Sequence, residues 1–364
     1  MTTNYFKGMC YAAFPQGYDP STANKTCIFF GSDITSKNLK PLWGKGFSPL
    51  DGPDKDKIFL GRDDLLTMSK MGVNTIRLYD WDARNDHQFF LDYCYSLKIQ
   101  VLVPVSNYNL GAFGTAPNMD SSILGLMKSF SNKDSSDYHP AIAAILIGSE
   151  IDLPSQMAED YVTKYTRRWV ELEHDNWRKV PIGHPISFAT HGAEFPCFKF
   201  WDHLLDRLGG NLNERLILCP NPYTDAFYLF ENAQEKGKGW VDITYDRYKL
   251  PILFTEIGCS RLTRPDYNDV IAAQLERSHI YHKENPEKLL GTCFFQFCDK
   301  AWKADSTEGS YGIFSNTKLD NNIIRYGAKD FTHTDGNNCT KEFLRVSVLS
   351  SNPVFNTIKL IYTC

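Results

Sequence analysis

No Cys-x-x-Cys pair, no His-Glu-x-x-His and no His/Cys cluster at metal-ligand spacing occurs in the 364 residues. That argues against a structural or catalytic zinc site, and no metal or other cofactor is expected. No block of Lys and Arg stands out and the formal net charge is -4, so nucleic acid is not an expected partner. No apolar run approaches the roughly 20 residues of a membrane span, and no membrane partner is expected. The opening Met1-Thr-Thr-Asn-Tyr-Phe-Lys-Gly8 lacks the charged-then-apolar pattern of a signal peptide. The closing Ile361-Tyr-Thr-Cys364 puts cysteine last, so it is not a prenylation box. These absences lead to the expectation of a soluble protein, intracellular or part of a particle, with its location otherwise unknown. Internal repeats and low-complexity tracts are also missing.

Cysteine is present ten times, but its spacing does not demand disulfides. Cys10, Cys219 and Cys293 fall inside strand-like runs, where a free thiol acts as a small buried apolar group. Mostly free thiols are expected. Aromatic residues are plentiful, with 24 Phe, 19 Tyr and 7 Trp. Most belong in a core, while flat amphipathic rings at a site edge suit the apolar faces of sugars.

Short β-like runs alternate with amphipathic segments. The runs are Lys7–Phe14, Asn74–Asp80, Val101–Val105, Ala141–Gly148, Ile186–Thr190, Leu216–Pro220, Ile252–Thr255 and Gly291–Phe297. Between them Phe89, Tyr93 and Leu97 recur every four residues, and Tyr161, Tyr165, Trp169 and Leu172 follow at spacings of four, four and three within 158–177, as one buried helix face requires. Arg62-Asp-Asp-Leu65 opens another helix with acidic residues at its positive end, and Gly72 closes it. Eight such units predict an α/β fold, a (β/α)8 barrel. The rival, a doubly wound open sheet, lacks its glycine fingerprint after the first strand. The barrel is expected over 1–329, with a long insertion at 15–60 after strand one that could wall a subsite. Residues 330–364 are expected to form a small β appendage, with Phe343–Leu349 and Thr357–Tyr362 as strands.

Two stretches carry chemistry: Ala144-Ile-Leu-Ile-Gly-Ser-Glu150 and Pro251-Ile-Leu-Phe-Thr-Glu-Ile-Gly258. Each is a continuous apolar run, as buried parallel strands require, reaching a glutamate at its C-terminal end. That end is where a (β/α)8 barrel builds its active site. Two carboxylates facing one pocket are the minimum for hydrolysing or transferring a glycosidic bond. A lone glutamate at a strand end is more often a salt-bridged surface residue, so the pair carries the argument. His191, after strand five, is a candidate pocket residue.

Arg62-Asp-Asp-Leu-Leu-Thr-Met-Ser-Lys-Met-Gly-Val-Asn-Thr-Ile-Arg-Leu-Tyr79 resembles the second-strand region of family 72 and family 17 glycoside hydrolases. These are β-1,3-glucan glucanosyltransferases and glucanases of the retaining (β/α)8 clan. Leu250-Pro-Ile-Leu-Phe-Thr-Glu-Ile-Gly-Cys259 resembles the family 72 nucleophile strand. Phe295-Gln-Phe-Cys-Asp-Lys-Ala-Trp-Lys303, followed by Glu308-Gly-Ser-Tyr-Gly-Ile-Phe314, is similar to the family 17 eighth strand and its loop. Asn221-Pro-Tyr223 matches the place of a tyrosine after strand six. The likeness runs from about Tyr5 to Phe314. It implies Glu150 as acid/base and Glu256 as nucleophile, with Arg77 and Tyr223 holding Glu256 ionised. Tyr79, Ser149, His191, Asn221 and Trp302 complete the implied substrate-binding set. An oligo- or polysaccharide, a β-glucan and in particular a β-1,3-linked one, is the implied substrate.

Two positions depart from the pattern. Ser149 stands where the clan has an Asn that grips the sugar 2-hydroxyl, and Lys300 stands where family 17 has Glu. Both lie at the site rather than in the scaffold. The alternative they leave open is a weakened or inactive barrel that binds carbohydrate or assembles with other proteins. Arg77 also fits a purely structural ion pair with Glu256.

Overall fold

The computed structural model describes residues 4–13, 33–34, 43–44, 46–47, 59–60, 62–111, 118–153, 159–233, 237–300, 307–319, 326–332, 338–343 and 347–364. Eight strands close a barrel: β1 (Phe6–Cys10), β2 (Thr75–Arg77), β3 (Gln100–Val105), β4 (Ile142–Ile147), β5 (Ile182–Ser187), β6 (Leu216–Asn221), β7 (Ile252–Ile257) and β8 (Leu289–Phe294). Each pairs in parallel with its sequence neighbour, and β8 closes on β1 with Phe6 opposite Gly291. Parallel strands need crossover connections, and helices supply them. The outer layer includes α1 (Asp64–Lys70), α2 (Gln88–Ser96), α3 (Met119–Phe130), α4 (Glu159–Leu172), α5 (Phe198–Leu208), α6 (Ala226–Phe230), α7 (Trp240–Tyr248), α8 (Tyr267–Glu284) and α9 (Val354–Thr363). The fold class is thus the (β/α)8 barrel.

Two apolar layers follow from strand alternation. The larger lies between the strands and the helices and includes Ile76, Val103, Ile145, Tyr165, Trp169 and Phe254. The smaller groups Cys10, Leu102, Ala144, Leu146, Ile217, Cys219, Leu253, Cys293 and Phe295. All three strand cysteines of the sequence argument therefore serve as small core residues. A Cβ on Gly8 would stand 2.5 Å from Cys293 Sγ, so β1 needs glycine there for β8 to approach. Among the described residues Cys10, Cys94, Cys197, Cys219, Cys259, Cys293, Cys298 and Cys364 are free thiols.

Several boundaries differ from the sequence reading, each for a packing reason. Strand five begins at Ile182, not Ile186. Gly183, His184 and Pro185 disguise it, yet His184 is fully buried and shares a 2.9 Å hydrogen bond with Thr166 Oγ1. Burial pushes the His184 pKa down to about 3, so this imidazole stays neutral. Helix α2 buries Phe90, Leu91 and Cys94, whereas Phe89 is 55% exposed. A strict period of four drifts off the stripe that a 3.6-residue turn buries. On α4 Tyr165 and Trp169 are buried as expected, but the helix stops at Leu172.

The chain end needs the largest correction. Thr357–Tyr362 is part of α9 and not a strand. Its Val354, Ile358, Ile361 and Tyr362 are buried, Lys7 Nζ donates to Tyr362 O at 2.6 Å, and the Tyr362 hydroxyl donates to Gly8 O at 3.1 Å. The apolar spacing 354/358/361 is that of one helix face, since on a strand Ile361 would point away from Val354 and Ile358, and contact with β1 buries that face. Gly72, at φ +85° after α1, lets Tyr362 O approach to within 2.5 Å of where a Cβ would sit. Among the described residues the β character near the chain end comprises two antiparallel pairs, Phe314–Leu319 with Ser347–Ser351 and Tyr326–Thr332 with Asn338–Phe343, so the expected Phe343–Leu349 strand is divided between two strands. The expected 15–60 insertion lies largely outside the described residues. Within it Trp43 is buried and its indole donates to Ile34 O at 2.8 Å. No helix among the described residues is long and apolar enough to cross a membrane.

Candidate active site

Because all eight strands run the same way, their C-terminal ends share one mouth of the barrel. Arg77 ends β2, Asn221 ends β6 and Glu256 is the penultimate residue of β7. Glu150 follows β4 by three residues, on a loop tied to β5 by its own N–H to Pro185 O at 2.8 Å. The two glutamates expected from the sequence therefore belong to one site.

Glu256 is 6% exposed and collects three donors. Arg77 Nη1 reaches Oε1 at 2.5 Å, Tyr79 donates to the same oxygen at 2.9 Å, and the Tyr223 hydroxyl donates to Oε2. Burial, followed by neighbouring groups that include Glu256, pushes both phenols well above their ordinary pKa. They remain protonated and act as donors. Burial opposes the Arg77 charge, but the oxygens of Tyr79 and Glu256 outweigh it and hold the guanidinium above its usual value. Arg77 is also pinned by Thr255 O at 2.9 Å and Ser149 Oγ at 3.0 Å. Its Cζ lies 4.6 Å from the Tyr79 ring centroid.

Glu150 has a different environment. It is partly buried, and one of its oxygens accepts from Asn221 Nδ2 at 3.1 Å. Asn221 is oriented for this because its Oδ1 accepts from Thr255 Oγ1 at 2.8 Å. Burial first, then the negative charge of Glu256, raises the Glu150 pKa against the opposing pull of Asn221 and Arg77. Two carboxyls at one site, one ringed by donors and the other pushed toward its protonated form, suit separate acid and nucleophile duties.

Of the other expected residues, Ser149 touches Arg77, and its backbone is clamped by Asn107 through bonds of 2.7 and 2.8 Å. Lys300 places its ammonium 4.8 Å from the Phe295 ring centroid and 5.9 Å from that of Tyr79. His191 bonds neither glutamate; its Nε2 pairs with Asp152 Oδ2 at 2.9 Å. Trp302 lies outside the described residues. Sequence reasoning missed Asn107, Asp152 and Thr255, whose roles depend on partners from other strands. The signal available for Asp152 was its place two residues after Glu150. No group of three or more His, Cys, Asp or Glu that could hold a metal occurs among the described residues.

No family-wide sequence profile matches the chain. It is 26% identical over 207 residues, 56% of its length, to 1,3-beta-glucanosyltransferase GAS2 of Saccharomyces cerevisiae, and spans 35% of that protein. The solved structure of Saccharomyces cerevisiae Gas2p with laminaripentaose superposes at a TM-score of 0.59, with 15% identity, over 99% of this chain and 64% of that one. Gas2p with laminaritriose and laminaritetraose gives 0.53 at 16% identity, over 82% and 58%. The chain thus spans about a third of the curated relative and less than two thirds of the solved chains. With eight parallel strands closed as above, the chain shares the (β/α)8 barrel fold of these solved Gas2p structures.

Proposed function

We propose that the protein is a retaining glycoside hydrolase or transglycosidase acting on β-1,3-linked glucan. The observation that carries this reading is the unequal pair at one barrel mouth. Glu256 receives Arg77, Tyr79 and Tyr223, while Glu150 has a raised pKa. In the first step Glu150 gives its proton to the glycosidic oxygen, and a Glu256 oxygen attacks the anomeric carbon as that C–O bond breaks. In the second step Glu150 takes a proton from water or from a sugar hydroxyl, whose oxygen displaces Glu256. The likeness to a named β-1,3-glucanosyltransferase supports the substrate class. The structural neighbours hold laminari-oligosaccharides, which supports the same class.

In this reading Arg77, Tyr79 and Tyr223 orient the nucleophile and Asn221 orients the acid. Ser149 lies nearest the sugar 2-hydroxyl, and His191 flanks the sugar path. Arg77 Nη2 donates to the Ser149 hydroxyl oxygen, which leaves the hydroxyl hydrogen free to reach a sugar oxygen. The test is incubation with β-glucan oligosaccharides of defined linkage, with product sizes recorded. Products longer than the substrate mean transfer; shorter products alone mean hydrolysis. Glu256→Gln abolishes turnover, whereas Glu150→Gln is slow on ordinary sugars and recovers on glycosides whose leaving group needs no proton. Equal loss in both variants on every leaving group contradicts the assignment. Oligosaccharide binding without any turnover supports instead a carbohydrate-binding barrel.

A further inference from the structure

Asp152 is a buried carboxylate beside the site that the proposed mechanism does not use. Only 4% of it is exposed. Its Oδ1 accepts from Ser187 N at 2.8 Å; its Oδ2 accepts from Ser187 Oγ at 2.5 Å and pairs with His191 Nε2 at 2.9 Å. Ser187 ends β5 and His191 lies on the loop after it, so one carboxylate ties the β4 loop to the β5 loop at three points. Glu150 N to Pro185 O is a fourth tie between the same segments.

The backbone at both ends of this clamp is unusual. Glu150 has φ 49° and His191 has φ 46°, left-handed conformations that non-glycine residues keep only where the surroundings impose them. Both residues stand on loops that Asp152 joins. Around Glu150 stand Glu256 on β7, Arg77 on β2, Asn221 and Tyr223 at the end of β6, and Asp152 on its own loop. Asp152 is a further negative charge beside a carboxyl that must carry a proton.

We propose that Asp152, held by Ser187 and His191, is a positioning residue that fixes the Glu150 loop against β5 and sets the surroundings of the Glu150 carboxyl. This rests on reading Glu150 as the general acid. The neighbouring negative charge makes ionisation of Glu150 harder, adding to the effect of burial and Glu256. The clamp also makes His191 part of the acid's support, with Asp152 as its bonded partner.

The test separates charge from scaffolding. In Asp152→Asn the amide can still accept from Ser187 N and donate to Ser187 Oγ and to His191 Nε2 in the tautomer that leaves this nitrogen unprotonated, but the charge is gone. The alkaline limb of kcat/KM on β-1,3-glucan oligosaccharides should then move down by roughly half a pH unit. On that limb the rate falls about threefold, while a glycoside with an activated leaving group loses much less. Asp152→Ala breaks the clamp as well and should lower kcat on both substrates. The carboxyl of Glu150, followed by 13C NMR in glutamate-labelled protein, should show the same downward move in Asp152→Asn without any turnover. An unchanged Glu150 midpoint in Asp152→Asn overturns the inference. A wild type that turns over no β-glucan, with the midpoint still moving, overturns the proposed activity and leaves the coupling standing.

Discussion

Removing Arg77 tests how the barrel holds Glu256. Arg77 is 1% exposed and its partner 6%, with 2.5 Å between Nη1 and Oε1. Arg77→Met leaves Glu256 buried without its counter-charge, a change that typically costs about 3–5 kcal/mol. Unfolding entropy of roughly 2.1 cal/mol/K per residue gives about 0.76 kcal/mol/K for 364 residues. The melting midpoint should therefore fall by about 4–7 °C. The same substitution in a Glu256→Gln background removes both charges together, which is far less costly. The coupling in this double-mutant cycle should reach at least about 2 kcal/mol, or about 3 °C. Differential scanning calorimetry of the four proteins measures it. If the two effects add within about 0.5 kcal/mol, Arg77 does not balance Glu256 and its contacts with Thr255 and Ser149 carry its role.

Two further outcomes follow from the same geometry. Ser149→Asn should restore an amide able to grip the sugar 2-hydroxyl as positive charge builds on the ring, raising kcat roughly a hundredfold with little change in melting; equal turnover in the two proteins would place the cause of slow catalysis elsewhere. For Glu150 the folded pKa is raised above its unfolded value, so the wild type loses stability as pH rises past the ordinary carboxylate range and through the raised folded value. Glu150→Gln escapes that loss. Its melting midpoint should exceed the wild type's at pH 7 and converge with it below about pH 4, and a pH-independent difference between the two would contradict the assigned environment.

Local sequence determined the strand–helix alternation and the two glutamates, because both are written in short-range patterns. A buried parallel strand is an apolar run whatever surrounds it, and a carboxylate just past such a run reaches the barrel mouth because all strands are parallel. The Glu-Ile-Gly-Cys259 and Arg-Leu-Tyr79 segments were legible through their resemblance to glycoside hydrolase motifs. Only the tertiary structure decided which neighbours make Glu150 and Glu256 unlike. The donors on Glu256 come from β2 and from the loops after β2 and β6, and the Asn221 bond to Glu150 is fixed by Thr255 from β7. Asp152 looked like any loop acid until β5 supplied Ser187 and the loop beyond supplied His191. The start of β5 and the helical form of α9 were hidden likewise. A proline-bearing strand and a mixed apolar tail gain their structure from the surfaces they cover, here β6 for one and β1 with α8 for the other. Strand identity is encoded within a few residues, whereas the protonation and aim of a side chain depend on groups brought together from across the chain.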